Sequence, residues 1–171
     1  ARFGSTADTV LICTDELLVE VNRATCALRI TQADGTVIVE DPEEGAYLHL
    51  DATGERGLRR KAAGDEHFYG FGEKTGALDR RGRSLTFWNT DAYQSAFGGY
   101  PPDADPLYQS IPFFVGLRGH TAYGLFLDST FRLSVDVAKQ DPSAVTMLAQ
   151  GGAPDGAKAA DGVAAVKAAL A

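Results

Sequence analysis

The feature that most narrows what this chain can fold into is a series of short β-rich runs with turn residues between them. TVLIC (9–13), LLVEV (17–21), CALRI (26–30), TVIVE (36–40) and AYLHL (46–50) follow one another closely. Leu17, Val19 and Val21 alternate with Leu18 and Glu20, the period-2 pattern of a strand with one well-buried face. Asp34-Gly35 lies between two such runs, and a tight primed turn needs the positive φ that glycine supplies, so a hairpin is expected there. No amphipathic helix interrupts these strands. The pattern predicts an antiparallel all-β sheet system and excludes a βαβ unit.

Residues 51–66 (DATGERGLRRKAAGDE) are polar and Gly-broken, and read as a loop with one charged edge strand. The character then changes: fourteen of the sixteen aromatic residues fall between Phe68 and Phe131. Strands are expected at SLTFW (84–88), IPFFVGL (111–117), AYGLFLD (122–128) and FRLSVDV (131–137). Between them, 94–106 (QSAFGGYPPDADP) is a long Gly- and Pro-rich loop, and loops of that length within a compact domain are often functional. The last segment, 151–171, holds nine alanines; Asp161 is placed to cap a short helix carrying Val163, Val166 and Leu170 on one side, although a linker fits the same residues.

The chain has 171 residues, enough to bury its own core, and a net charge of −7. That sign argues against nucleic acid or an acidic membrane as partner, because phosphate binding needs a basic surface. The run Arg80, Arg81, Arg83 is the exception, and in a Gly-punctuated loop it reads as surface or ion-pairing residues. No stretch of about 18 apolar residues offers a membrane-spanning helix. The start, ARFGSTADTV, lacks the apolar core of a signal peptide, so a cytoplasmic location is the expectation. Cys13 and Cys26 are too few for a disulfide framework or a metal set. Cys26 alternates with Leu28 and Ile30 as on one strand face, which predicts a buried free thiol.

Among candidate chemistries, YGFGEKTG (69–76) resembles a dinucleotide loop only superficially. Its spacing is G-x-G-x-x-x-G and no helical pattern follows, whereas such a phosphate site needs a helix N-terminus aimed at the ligand. Gly70, Gly72 and Gly76 are expected to serve turns and close backbone approach. His49, His67 and His120 are scattered without metal-ligand spacing, and no cofactor or metal is expected. Carboxylates are plentiful (Glu66, Glu73, Asp79, Asp91, Asp103, Asp105, Asp128), and a glycosidase needs two of them flanking the scissile bond. Asp91 stands out in SLTFWNTDAY (84–93), where a strand runs into Asn89, Thr90 and Asp91 amid aromatics. Asn and Asp there suit a turn. The same residues suit a sugar, since an aromatic face packs on the ring's C–H face while a carboxylate accepts from hydroxyls.

The ordered pieces FYGFGEKTGALDRRGRSLTFWNTDAY, DPLYQSIPFFVGL and AYGLFLDSTFRLSVDV, spanning Phe68 to Val137, resemble the N-terminal domain of glycoside hydrolase family 31, chiefly α-glucosidases. The resemblance implies a β-sandwich of the galactose mutarotase-like fold over residues 1–150, packed against a (β/α)₈ catalytic barrel, with 151–171 as a tail. It implies that the N-T-D-A loop reaches over the barrel's active site and that its aspartate helps hold the substrate, an α-glucoside or maltooligosaccharide. Carried over, that aspartate is Asp91, with Trp88, Asn89 and Tyr93 as neighbours.

This sequence departs from the family pattern in two places. Residues 94–104 form a longer connection than family members commonly have, which alters the subsite wall. The family's nucleophile motif, W-x-D-M-N-E, does not occur. No catalytic residue is therefore assigned, and the chain alone is expected to be inactive, since one carboxylate cannot be both nucleophile and separate acid. An excised domain would also expose its barrel-facing surface and risk self-association. Two other readings remain at this point: a stand-alone carbohydrate-binding or scaffold module, and an aldose 1-epimerase-like protein using paired histidines.

Overall fold

A computed structural model of the chain describes residues 1–50 and 54–150. The described residues form thirteen strands and one short 3₁₀ turn, and every strand pair described is antiparallel. They fall into two compact units, Ala1–Lys61 and Ala62–Gln150. The helix anticipated after Asp161 lies outside the described residues.

The first unit opens with a five-stranded meander: β1 (Arg2–Ser5), β2 (Thr9–Cys13), β3 (Leu17–Asn22), β4 (Leu28–Gln32) and β5 (Val37–Glu40), in that spatial order. A hairpin follows, β6 (Tyr47–Leu50) with β7 (Glu55–Lys61), so the charged strand anticipated in 51–66 forms at ERGLRRK. The Asp34-Gly35 turn closes β4 on β5 as expected: Gly35 takes φ 87°, and Asp34 Oδ1 accepts from the Thr36 N–H at 2.8 Å. Cys26 is buried and free, as expected, but it does not lie on a strand face. It occupies a left-handed turn position with φ 59° just before β4 begins at Leu28, because Asn22 folds the chain back through its side-chain oxygen on the N–H groups of Ala24 and Thr25. The Asp41 carboxyl, buried after β5, accepts from the Leu28 N–H at 2.9 Å and pairs with Arg60 of β7. Burial nonetheless pushes the Asp41 carboxyl above its ordinary range, outweighing both partners.

The second unit contains β8 (His67–Gly72), β9 (Arg83–Phe87), β10 (Ser110–Arg118), β11 (Thr121–Phe126), β12 (Leu133–Val137) and β13 (Ala144–Ala149). One sheet runs β11-β10-β8; in the other, β12 pairs with β9 on one side and β13 on the other. Alternation along β12 buries Leu133, Val135 and Val137, and β13 buries Val145 and Met147. Phe71 of β8 stacks on Phe114 of β10 at 5.0 Å and meets Phe87 of β9 edge-on at 6.2 Å, so three rings join the two sheets. Each buried Phe contributes about 1.5–3 kcal/mol of hydrophobic stabilisation, which makes this trio a dominant part of the unit's core.

The glycines of YGFGEKTG act as predicted, within a strand that the sequence did not predict. Gly70, Phe71 and Gly72 take φ 106°, 70° and 80° in succession. Opposite them β10 is bulged, advancing from Ser110 to Phe114 while β8 steps only from Gly72 to Gly70. A Cβ on Gly72 would lie 2.6 Å from the Ile111 nitrogen, so the backbones meet where only glycine fits.

The arginine run is not the solvated surface or ion-pairing loop that its composition suggests. Arg80 is buried and donates to the carbonyls of Lys74, Thr75 and Ala77. Arg81 donates to those of Ala63, Glu66 and Pro142. Both guanidinium groups brace loops through backbone carbonyls, a role that a planar fork of five donors fills well.

Candidate functional site

β9 ends at Phe87 because the next residues turn the chain into a loop that returns at β10. Asn89 Oδ1 accepts from the Ser110 N–H at 2.8 Å, and the Thr90 N–H donates to the Leu107 carbonyl at 2.9 Å. Asp91 Oδ1 accepts from the Tyr93 N–H at 3.2 Å, the turn geometry its residue type favours. Beyond it, Ser95–Phe97 makes the 3₁₀ turn, stopped by Gly98 in the left-handed region at φ 62°.

The four residues predicted for the site are not all brought together. Trp88 and Asn89 line a depression of about 430 Å³ with Pro112, Phe126, Asp128 and Phe131. Asp91 and Tyr93 line another, of about 290 Å³, with Gln94, Pro101, Ala104 and Asp105. Trp88 and Tyr93 are 52% and 61% exposed, so both offer ring surface to a ligand. Tyr108 completes the second arrangement. Its deprotonation is pushed up, first by burial and then by the charges of Asp91 and Glu73. The phenol therefore stays protonated well above neutral pH.

Under this loop lie Lys74 and Thr75, which went unrecognised in the sequence, and Asp105, which was named only as one of several carboxylates. Lys74 Nζ lies 2.6 Å from Asp105 Oδ1, bonds the Thr86 carbonyl, and sits 4.6 Å over the Phe87 ring. The other Asp105 oxygen accepts from the Thr86 N–H at 2.6 Å. Thr75 Oγ1 donates to the Ala104 carbonyl at 3.0 Å. Asp105 is thus the second carboxylate of the Asp91 depression, but it is already committed to an ammonium.

Of the remaining titratable candidates, Asp79, His67 and Glu66 have structural partners. Asp79 Oδ2 lies 2.7 Å from His67 Nδ1, and its other oxygen accepts from the Phe68 and Arg81 N–H groups. Glu66 is buried and accepts from the Ala63 N–H at 2.9 Å. His67 thus engages a carboxylate rather than a second histidine. Among the described residues no cluster of three or more His, Cys, Asp or Glu side chains is arranged to hold a metal ion.

Antiparallel sheets joined by an aromatic core, with a tethered loop between β9 and β10, define a β-sandwich domain. Residues 1–136 match the glycosyl hydrolase 31 N-terminal galactose mutarotase-like domain, and the chain belongs to that family. Alpha-glucosidase 2 of Bacillus thermoamyloliquefaciens is 35% identical over 136 residues, which is 80% of this chain and 16% of that protein. An alpha-glucosidase of Saccharolobus solfataricus is 37% identical over 76 residues, 44% of this chain and 10% of the relative. Among solved structures, a GH31 dextranase of Flavobacterium johnsoniae complexed with isomaltotriose is similar with a TM-score of 0.75 at 29% identity, over 88% of this chain and 17% of its own. The chain spans less than a fifth of the length of these relatives. The resemblance read from the motifs between Phe68 and Val137 is borne out, as is the all-β fold.

Proposed function

We propose that the chain serves as the N-terminal β domain of a retaining α-glucosidase, and that its β9–β10 loop presents Asp91 to an α-glucoside or maltooligosaccharide beside a (β/α)₈ catalytic barrel. The identity to alpha-glucosidase 2 supports the enzyme class. The observation that carries the site is Asp91 itself: a carboxylate that accepts from the Tyr93 N–H, beside the Tyr108 phenol and the exposed Tyr93 ring. Such a group binds sugar hydroxyls and does not supply both the nucleophile and the acid. Trp88 and Asn89 line the other depression, so they would contact a different part of the sugar from Asp91.

In the full-length enzyme, Asp91→Ala should lower kcat/KM for α-glucosides by at least about tenfold, roughly 1.4 kcal/mol of transition-state binding. Unchanged kinetics would remove Asp91 from the site.

A second reading, a non-catalytic carbohydrate-binding module, draws on the Trp88, Phe126 and Phe131 depression with Asp128 at its side. It predicts heat on titrating the isolated chain with maltose. No heat up to tens of millimolar, on the order of the weakest sugar affinities, excludes it.

A further inference from the structure

The ammonium of Lys74 is nearly sealed from solvent, with its side chain 1% exposed. A charge so placed must be neutralised by whatever the fold brings to it. The groups that reach it come from both feet of the β9–β10 loop. Thr86, at the end of β9, offers its carbonyl, and Asp105, on the returning leg, offers a carboxylate oxygen at 2.6 Å. Asp105 then closes the ring by accepting from the Thr86 N–H at 2.6 Å. Thr75, next to Lys74, adds a bond to the Ala104 carbonyl at 3.0 Å. The Phe87 ring beneath the ammonium fixes its depth, and that ring is itself packed against Phe71.

We propose that Lys74 and Asp105 are positioning residues: their buried ion pair clasps the two feet of the loop and so fixes where Asp91 stands. The last clause rests on the Asp91 site proposed above; the clasp itself does not. A side chain serving fold stability alone would weaken the whole unit evenly when removed. A clasp loosens the loop first, because residues 88–104 lose the anchor at their return while β12 and β13 keep their full ladders.

Amide hydrogen exchange on this chain tests the clasp. In Lys74→Met, amides between Asn89 and Ala104 should exchange at least about tenfold faster while those of Val135 and Met147 stay within about twofold. Thr75→Val, which removes only the bond to Ala104, should give a smaller acceleration in the same segment. If Lys74→Met fails to fold, Thr75→Val decides: a loop no faster than wild type overturns the proposal. Uniform acceleration in a folded Lys74→Met overturns it too.

Kinetics of the full-length enzyme test the link to Asp91. Lys74→Met should lower kcat/KM by about fivefold or more alone, and by less than about twofold when added to Asp91→Asn, because the clasp acts through that carboxylate. A loosened loop with an inert Asp91→Asn sinks the site and leaves the clasp standing. Additive losses show that Lys74 does not act through Asp91.

Discussion

Asp91 and Tyr108 lie on the outgoing and returning legs of one loop, close enough that the Asp91 charge helps hold the Tyr108 phenol above its ordinary pKa. A phenol this near Asp91 removes some of the carboxylate's freedom to turn away. If Asp91 binds a sugar, Tyr108→Phe should lower kcat/KM by roughly threefold to tenfold, less than the loss in Asp91→Ala. The loss should show no pH dependence between 6 and 8, because the Tyr108 hydroxyl remains protonated throughout. Steady-state kinetics of the full-length enzyme at several pH values check it.

Trp88 is the only tryptophan in the chain and stands half exposed at the foot of the loop, so its emission reports directly on this region. Sugar binding at the depression it lines should shift or quench that emission saturably. Maltose and glucose titrations are the measurement, with a non-carbohydrate osmolyte as control. An unresponsive spectrum argues against sugar contact at Trp88.

Gly72 and Gly82 separate two costs of a methyl group. Both have φ near 80°, but Gly82 faces open space while a Cβ on Gly72 would strike the backbone of Ile111 and Gln109. Gly82→Ala should therefore destabilise by about 1 kcal/mol, the left-handed penalty alone. Gly72→Ala should cost roughly 3 kcal/mol or more, since backbone must also move. Chemical denaturation of the two variants checks the difference.

Asp79 predicts the acid side of the stability profile. Burial acts on it to raise its pKa, but the N–H groups of Arg81 and Phe68 and the His67 ring together outweigh burial and hold the carboxyl below its ordinary 3.8. A carboxyl depressed on folding stabilises the native state above that unfolded value and loses the contribution as pH falls through the folded one. Asp79→Asn should therefore flatten the loss of stability as pH falls below about 4, read as melting temperature against pH.

Much of the fold was legible because its strands follow simple rules. The alternation in LLVEV and LSVDV and the Asp34-Gly35 turn each declare themselves locally. β8 was hidden because its glycines look like a loop, and they are needed only because a bulged β10 lies against them. β13 was missed because AVTMLA shows no alternation; Ala144, Val145 and Met147 are all buried. At the site, Asp91 was visible from its neighbours in sequence. The pairing of Lys74 with Asp105 was not, since the two lie 31 positions apart and nothing linear couples them. The arginines misled for the same reason: their partners are backbone carbonyls, which carry no residue-specific signal.

Among the described residues Arg60, Lys74 and Arg80 are buried, and the acids drawn in with them are Asp41 and Glu66, which are buried, and Asp105, which pairs with Lys74. The exterior therefore keeps the acidic balance of the sequence, whose net charge is −7. An acidic exterior repels sulfated or phosphorylated glycans over roughly 8–10 Å at physiological salt and leaves uncharged ones unaffected. Pairing its inward cations with acids thus leaves that repulsion undiminished by the loop's anchor.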